Sequence, residues 1–276
     1  MAKDFRFGVA LWAPASRSKW QDAVRRADDY GYDVVQVPDH VGASAPFPAL
    51  LAAAEVTKMR IGTYVLNAGF YKPALLARDV AALNQFTDGR LELGLGAGYV
   101  REEFEAAELP FPSAKNRIYY LAHLTAYLRE HLPTVPILIA GSGDRLVTLA
   151  AQRADIIGLT GGRPDSTAPD PLAERIDFVR NAAGERFAEL ELNMVITAVP
   201  HDGSAIPDLS LTRSLTRKYG PTLSDEQLLA LPTVLTGSPR DMADTLRRYR
   251  EAYGLTYISV QQQHAESFSK VIAELR

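Results

Sequence analysis

The chain has 276 residues, of which 47% are hydrophobic and 23% charged, with a formal net charge of −3. This balance is typical of a globular protein that can bury a full core, and it argues against disorder. The sequence contains no cysteine, which excludes thiol catalysis, Cys-ligated zinc and disulfide bonds. Its weak net charge gives no basic field that would favour nucleic acid or an anionic membrane as a partner.

The N-terminal stretch MAKDFRFGVALW lacks the basic-then-apolar layout of a secretory signal. No apolar run in the sequence approaches the ~20 residues that a membrane span needs. We therefore expect a soluble, cytoplasmic protein without a membrane segment.

Short β-rich runs alternate with segments of helical period along the whole chain. Candidate strands begin near Phe5, Val34, Arg60, Leu91, Pro136, Asp155, Leu190 and Thr256. Apolar stripes such as Trp20, Val24 and Ala27 mark the helices between them. The alternation predicts parallel βα units, and their number predicts a (β/α)8 TIM barrel. We expect one domain over residues 1–276, with a longer excursion at about 199–236 after the seventh strand.

An open doubly wound sheet is the main alternative, because it shows the same alternation and binds a dinucleotide at a glycine-rich first turn. Here the first turn is ALWAPASR, which has no glycine. The glycine-rich strand, GLGAGY, comes fourth, and its spacing is G-x-G-x-G instead of G-x-G-x-x-G. The sequence therefore favours the barrel.

In a barrel of this kind the active site lies at the carboxyl ends of the strands. Asp39 and His40 directly follow the second candidate strand. A histidine near neutral pKa can pass a proton beside a hydride transfer, and a nearby carboxylate can fix its orientation. The alternative is that Asp39 caps a turn and His40 is merely exposed.

Two glycine-containing loops indicate an anion site. Gly141-Ser142-Gly143-Asp144 follows the fifth strand and opens a helix, where backbone N–H groups can close on a phosphate. Thr160-Gly161-Gly162-Arg163 follows the sixth strand and adds a hydroxyl and a cation. The alternative is that the glycines only form tight turns.

The fourth strand alternates Gly94, Gly96 and Gly98, so one of its faces is bare. A flat ring could approach that face, although tight barrel packing explains it equally well. No H-E-x-x-H or comparable spacing is present, and we expect no metal.

The stretch from Arg60 to Phe104, with the Asp88-Gly89-Arg90 turn ahead of the glycine strand, resembles the luciferase-like monooxygenase superfamily, particularly its branch of coenzyme F420-dependent oxidoreductases. PILIAGSGDRLVTLAAQRADIIGLTGG is similar to the fifth and sixth strands of that family. The resemblance implies a hydride transfer between coenzyme F420, a deazaflavin, and a small organic substrate. FMN is the alternative cofactor, in an FMN-dependent monooxygenase. A barrel that binds flavin or deazaflavin without catalysis is the second alternative.

The resemblance also implies roles for particular residues. Asp39 and His40 match the catalytic pair, with His40 near the ring as proton donor or acceptor. Tyr64 and Val65 match a bulge in which a non-prolyl cis peptide backs the ring. The other implied cofactor contacts are Ala97, Gly98, Gly141, Ser142, Gly143, Thr160 and Arg163.

The sequence departs from this branch on the substrate side. Its sugar-phosphate dehydrogenases carry an acidic residue after the glycine strand and another near the end of the first strand, where this chain has Tyr99 and Trp12-Ala13. These differences argue against sugar-phosphate oxidation. The resemblance further suggests a homodimer, and the side chains that form either a packed helix face or an interface are Tyr119, Tyr120, Leu124 and Tyr127.

Overall fold

The computed structural model describes residues 4–13, 16–162, 166, 168–201, 204–219 and 222–276. Within them, eight parallel strands form a closed barrel, and the third strand is interrupted at Val65. The strands are β1 (Arg6–Ala10), β2 (Val34–Pro38), β3 (Arg60–Tyr64, continued by Leu66–Asn67), β4 (Leu91–Gly96), β5 (Ile137–Ala140), β6 (Ile156–Leu159), β7 (Glu191–Ile196) and β8 (Leu255–Gln261). The barrel closes where β1 pairs with β8, with Gly8 opposite Ser259. The predicted barrel is confirmed.

The helices surround this barrel and bury their apolar stripes against it. They are α1 (Arg17–Asp29), α2 (Pro46–Ala54), α3 (Pro73–Phe86), α4 (Arg101–Ala106), α5 (Ala114–His131), α6 (Asp144–Arg153), α7 (Pro171–Ala183), α8 (Ser210–Tyr219), α9 (Asp225–Leu229), α10 (Pro239–Tyr253) and α11 (Ala265–Leu275). On α1, Trp20, Val24 and Ala27 are all buried, as their spacing predicts. In the described residues, no helix combines the length and apolar character that crossing a bilayer requires.

The interruption of β3 explains the bare face of β4. Val65 has a φ of 48°, which is unusual for a β-branched residue, and it displaces the backbone toward β4. A Cβ at Gly94 would lie 2.2 Å from the Thr63 carbonyl oxygen, and one at Gly96 would lie 3.3 Å from a Val65 methyl group. Packing against the neighbouring strand therefore requires glycine at position 94, whereas at position 96 a side chain would need only a small shift of Val65.

An ionic layer fills the amino-terminal end of the barrel. The Glu92 side chain is 5% exposed and pairs with Arg6, and it also accepts a hydrogen bond from Arg60 Nε at 2.6 Å. Arg6 also pairs with Glu191 at 2.5 Å. The hydroxyl of the buried Tyr257 donates to Glu92 Oε2 at 3.3 Å. These charges occupy the first or second residues of their strands, so the amino-terminal end of the barrel is filled and the carboxyl end is left for a ligand site.

The Asp88-Gly89-Arg90 turn has a structural role. Asp88 and Gly89 both have positive φ, and together they direct Arg90 back toward the chain that precedes β3. The guanidinium of Arg90 donates to the carbonyls of Thr57 and Met59, each at 2.9 Å. It also donates to those of Ala54 at 3.1 Å and Thr87 at 3.0 Å. One side chain therefore satisfies four backbone acceptors.

We expect Arg90→Met to lower the free energy of unfolding by about 3 kcal/mol, because hydrogen bonds from a charged donor contribute more than neutral ones and the partly buried carbonyls lose their donor. Urea unfolding measures this loss. Arg25→Met is the matched control, since Arg25 makes an exposed pair with Asp22 on α1, and it should change stability by about 0.5 kcal/mol or less. Equal losses in the two variants would contradict this role of Arg90.

The excursion after β7 is held to the barrel by hydroxyl groups. Thr197, the residue after β7, contacts the hydroxyl of Thr212 on α8 at 2.9 Å and that of Thr233 at 3.2 Å. All three threonines are buried. The excursion therefore lies at the carboxyl end of β7, at the same end of the barrel as the predicted site.

Candidate functional site at the carboxyl end of the barrel

His40 follows β2 and pairs with a carboxylate from another element. Its Nδ1 lies 2.6 Å from Oε1 of Glu103, which α4 positions after the glycine strand. A carboxylate oxygen accepts, so this contact assigns the proton to Nδ1 and leaves Nε2 for a second partner. The Glu103 side chain is 15% exposed and that of His40 34% exposed, so the pair is shielded but accessible.

The described residues show no hydrogen bond between Asp39 and His40, so Asp39 does not fix the imidazole directly, and its catalytic role stays a prediction. Adjacent residues on an extended segment point in different directions. The Asp39 carboxylate instead accepts from the backbone N–H of Asn67 at 3.0 Å and from the Tyr71 hydroxyl at 3.1 Å. Burial raises the pKa of Asp39, and these two hydrogen bonds oppose that rise. Asp39 thus ties the end of β2 to the chain that follows the β3 bulge.

Trp12 forms a wall beside His40. The two rings stack with their centroids 5.5 Å apart and an angle of 15° between their planes. The backbone N–H of Trp12 donates to Oε1 of Gln262, which follows β8, at 2.9 Å. The side chain is 44% exposed despite its size. An exposed tryptophan stacked on a candidate catalytic histidine provides an apolar surface for a substrate or cofactor.

The bulge at Tyr64 and Val65 takes a different form from the expected one. The described residues contain no cis peptide bond, so the cis bond expected there is wrong. The left-handed conformation of Val65 produces the bulge instead. The bulge carries Tyr64, whose side chain hydrogen-bonds with Gln261 of β8 and lies near Tyr99. Burial, and next Tyr99, raise the pKa of Tyr64, so its phenol stays protonated at neutral pH.

Ala97 and Gly98 leave β4 beside this bulge. Both residues are half-buried, and Gly98 has a φ of 73°. A Cβ at Gly98 would lie 2.1 Å from Oδ1 of Asn67. The carbonyl of Gly98 accepts from Arg117 Nε at 2.8 Å. Packing against Asn67 accounts for this glycine, and its contact with a cofactor stays a prediction.

The loop after β5 has the features of an anion site. Gly143 is the N-cap of α6, and a Cβ there would have no atom within 4 Å. Ser142 is half-buried beside it, as is Gly141. Asp144 begins α6 and pairs with the buried Arg175 at 2.9 Å, which compensates the charge of this acid near the helix N-terminus. The loop offers space, a hydroxyl and the positive end of a helix dipole.

The loop after β6 lies next to it, because β5 and β6 pair with Ala140 opposite Gly158. Thr160 is exposed. A Cβ at Gly161 would lie 3.2 Å from the Thr233 methyl group, and one at Gly162 would lie 2.3 Å from Pro171. These two glycines are therefore explained by packing. Arg163 lies outside the described residues.

His264 follows β8 and is the buried histidine of this end. It is 3% exposed, and its Nε2 lies 3.1 Å from the Thr197 carbonyl, to which it donates. No partner is found for Nδ1 in the described part of the chain. Burial lowers the pKa of His264, and the nearby His201 acts in the same direction while Asp208 opposes it. The described residues contain no group of three or more acidic, histidine or cysteine side chains suited to a metal.

Acidification should destabilise the protein through His264. Its folded pKa lies below the unfolded value of about 6.5, so the neutral ring is favoured by folding. Above about pH 6.5 the neutral ring makes its full contribution to the free energy of unfolding. As the pH falls below this value the contribution is lost, because the unfolded chain binds the proton more readily than the folded protein. In urea unfolding at about pH 7.5 and about pH 5.5, His264→Gln should lose less stability than the wild type. An equal loss would show that another group carries the dependence.

Comparison with known proteins agrees with this geometry. Residues 5–118 match the model of a family described as luciferase-like monooxygenase. The coenzyme F420-dependent tetrahydromethanopterin reductase from Methanopyrus kandleri superposes with a TM-score of 0.76 at 15% identity, covering 99% of this chain and 97% of that one. The protein has the luciferase-like barrel fold.

Two further relatives of this luciferase-like barrel differ in cofactor. An F420-dependent glucose-6-phosphate dehydrogenase from Intrasporangium calvum is 26% identical, over 83% of this chain and 84% of its own. A riboflavin lyase solved with modified FMN and riboflavin superposes with a TM-score of 0.75 at 14% identity, covering 99% of this chain and 92% of that one.

The sequence located the site but missed some of its contacts. Glu103, Gln261 and Gln262 lie after or at the ends of strands, but no sequence pattern assigned them a role or a partner. Trp12 was noted only as a position at which this chain lacks the acidic residue of the sugar-phosphate dehydrogenases. Their contacts join residues far apart in the chain, and a local pattern carries no signal for such pairs.

Proposed function

We propose that this luciferase-like barrel is an F420-dependent oxidoreductase that transfers a hydride between the deazaflavin and a small organic substrate. The observation that carries the proposal is the pair of His40 and Glu103, placed beside Trp12 and after the strand end at Pro38 that pairs with Tyr64. The pair is a proton donor or acceptor at the end of the barrel where ligands bind. The similarity to an F420-dependent dehydrogenase over 83% of the chain supports the cofactor.

The residues present suit an elongated cofactor with a flat ring and a phosphate. The ring end would be held by Asp39, His40, Tyr64, Val65, Ala97 and Gly98. The phosphate end would be held by Gly141, Ser142, Gly143, Thr160 and Arg163. The open space above Gly143 at the start of α6 is the feature that a phosphate group needs. When bound, the deazaflavin supplies a ring carbon that accepts or donates a hydride.

The protein's own residues manage the proton and the surroundings. Glu103 holds Nδ1–H of His40 and so fixes the ring, while Nε2 takes the proton from a substrate hydroxyl or returns it to a carbonyl oxygen. Trp12 stacks on the imidazole and keeps water from one of its faces. Asp39 anchors the loop that carries His40 through Asn67 and Tyr71.

An FMN-dependent monooxygenase is the second candidate, favoured by the likeness to the riboflavin lyase with its modified FMN. The two reactions differ in their need for oxygen. A barrel that binds its cofactor without catalysis is the third candidate.

A turnover assay with both cofactors separates these candidates. The protein is mixed without oxygen with oxidised F420 and a panel of alcohols, and with reduced F420 and a panel of enones, aldehydes and imines, while the deazaflavin absorbance is followed. We expect a change that depends on the protein with at least one panel. Product formation only with reduced FMN and oxygen would establish the monooxygenase instead. Tight cofactor binding without turnover in any panel would favour the non-catalytic barrel.

We also propose that the whole chain forms one barrel domain, acts in the cytoplasm and assembles as a homodimer. On α5, Leu124 is buried in the core, and the Tyr120 hydroxyl donates to the Tyr71 carbonyl at 2.6 Å, so both belong to a packed face. Tyr119 is 61% exposed and is available to a second copy, whereas Tyr127 is half-buried. Sedimentation analysis of wild type and Tyr119→Glu tests the dimer. A monomeric wild type would contradict it.

A further inference from the structure

Three large apolar side chains are exposed at the carboxyl end of the barrel. Trp12 follows β1, Val41 follows β2 and Tyr99 follows β4, and their exposed fractions are 44%, 50% and 46%. Single exposed apolar residues are normal on a soluble protein, whereas several at one end of a barrel form a patch of the kind that marks a ligand-binding surface. The patch lies at the end where barrels bind their substrates.

Two of these side chains are connected through Tyr64 at the end of β3. The phenol of Tyr64 hydrogen-bonds with Gln261 of β8 and lies near Tyr99. Because β2 and β1 lie between β3 and β8 in the sheet, this contact crosses the barrel interior. The next residue of the chain, Gln262, accepts from the backbone N–H of Trp12 at 2.9 Å. Trp12 and Tyr99 therefore belong to the rim of one opening.

The imidazole of the proposed mechanism lies against this rim. Trp12 stacks on His40 with ring centroids 5.5 Å apart, and the indole remains exposed despite this contact. Since Nδ1 of His40 is held by Glu103, Nε2 is the atom left for a ligand. A flat ring that packs on Trp12 would lie next to this nitrogen, and aromatic surfaces favour such stacked contacts.

Two arginines lie near Tyr99 in sequence or in space, and both are engaged by other groups. The guanidinium carbons of Arg101 and Arg117 lie 4.5 Å and 4.2 Å from the centre of the Phe111 ring. Arg117 Nε also donates to the carbonyl of Gly98 at 2.8 Å. An anionic ligand would have to draw these groups from their contacts. In the part of the chain that the structure describes, this side of the rim thus offers no preformed cation to a phosphate or carboxylate.

The acidic groups near His40 strengthen this preference. Glu103 contacts the imidazole at 2.6 Å, and Asp39 precedes it in the chain. Their negative charges repel an anion. Both carboxylates already accept hydrogen bonds from protein donors, so neither requires a cationic ligand. The arrangement therefore fits an uncharged ligand.

We propose that Trp12 and Tyr99 form an aromatic substrate wall, and that the substrate is a flat, uncharged compound whose carbonyl group is conjugated with a double bond or an aromatic ring. The inference rests on the proposed function and narrows its substrate class. The wall binds the face of the flat compound, and Nε2 of His40 contacts its carbonyl oxygen. A phosphorylated sugar is neither flat nor uncharged and does not fit this wall.

Calorimetric titration of the full chain, with and without oxidised F420, tests the wall with three related ketones: benzylideneacetone, its para-carboxylate and its para-trimethylammonium derivative. We expect the uncharged ketone to bind at least about tenfold more tightly than either charged one. Trp12→Ala and Tyr99→Ala should each weaken it by about tenfold, and Trp12→Phe, which keeps a ring, should weaken it less. With reduced F420, Tyr99→Ala should raise KM for this ketone.

Phe86→Ala is the matched control for these variants. Phe86 is also an exposed aromatic residue, but it ends α3 and lies at the opposite end of the barrel, so its removal should leave ketone binding and KM unchanged. Thermal unfolding of each variant verifies that the fold is intact.

The outcomes separate this inference from the proposed function. If the para-carboxylate, the trimethylammonium derivative or glucose 6-phosphate binds more tightly than the uncharged ketone, the substrate class is wrong, and turnover of F420 with another substrate keeps the oxidoreductase proposal. Wild-type ketone affinity in both alanine variants would likewise overturn the wall. If the uncharged ketone binds through Trp12 but no substrate changes the deazaflavin absorbance, the proposed function fails and the substrate assignment fails with it.

Discussion

Replacing His40 with alanine is expected to lower kcat of the proposed F420-dependent reaction by about 10²- to 10⁴-fold, the range that positioned proton transfer contributes. Cofactor Kd should stay near the wild-type value, because the imidazole provides a proton and little binding surface. Glu103→Gln should lower kcat less, by roughly 10- to 100-fold, since the amide still contacts Nδ1 but no longer fixes its proton. Steady-state kinetics and cofactor titration of each variant measure the two effects separately.

The neighbouring Glu102 supplies the control for these variants. It lies on the same helix as Glu103 but is exposed, so Glu102→Gln should keep wild-type kcat. A rate for His40→Ala equal to that of the wild type would remove His40 from the mechanism. A Glu103→Gln rate equal to that of Glu102→Gln would show that the contact of 2.6 Å does not orient the imidazole.

Gly94→Ala is expected to destabilise the protein by about 3 kcal/mol or more, at the upper end of the range for overpacked cores. Its Cβ would lie 2.2 Å from a backbone oxygen of Thr63, which cannot move without disrupting the pairing of β3 with β4. The midpoint of urea unfolding, followed by circular dichroism, measures the loss.

A second glycine of the same strand is the matched control. A Cβ at Gly96 would lie 3.3 Å from a Val65 side-chain atom, which can adjust by a few tenths of an ångström. Gly96→Ala should therefore cost roughly 1 kcal/mol. Equal losses of stability in the two variants would mean that the glycines of β4 do not make room for the bulge. That result would favour the alternative that these glycines let a cofactor ring approach the strand.

The barrel could be predicted from the sequence because its signals are local. Each candidate strand begins within one residue of the strand in the structure, as Val34, Arg60 and Leu91 show without any offset. Apolar stripes mark the helices of the successive units, and glycine ends some of these helices. Gly254, for example, ends α10 in the left-handed conformation that precedes β8.

The site was predictable in position but not in its pairings. The rule that ligands bind at the carboxyl ends of barrel strands located Asp39 and His40 at the end of the barrel where the structure places Glu103. The carboxylate that contacts the imidazole belongs to Glu103, 63 residues further along the chain. This contact depends on how α4 packs on the barrel, which no local sequence pattern encodes. The backbone form of the bulge at Val65 is likewise set by its packing against β4.

The central claim, that this luciferase-like barrel uses a deazaflavin, is tested most directly by equilibrium titration of the apoprotein with F420 and with FMN, each in its oxidised and reduced forms. We predict that F420 binds at least about tenfold more tightly than FMN in one redox state, a difference of about 1.4 kcal/mol. Tighter binding of FMN in both redox states, or binding of neither cofactor, would contradict the account.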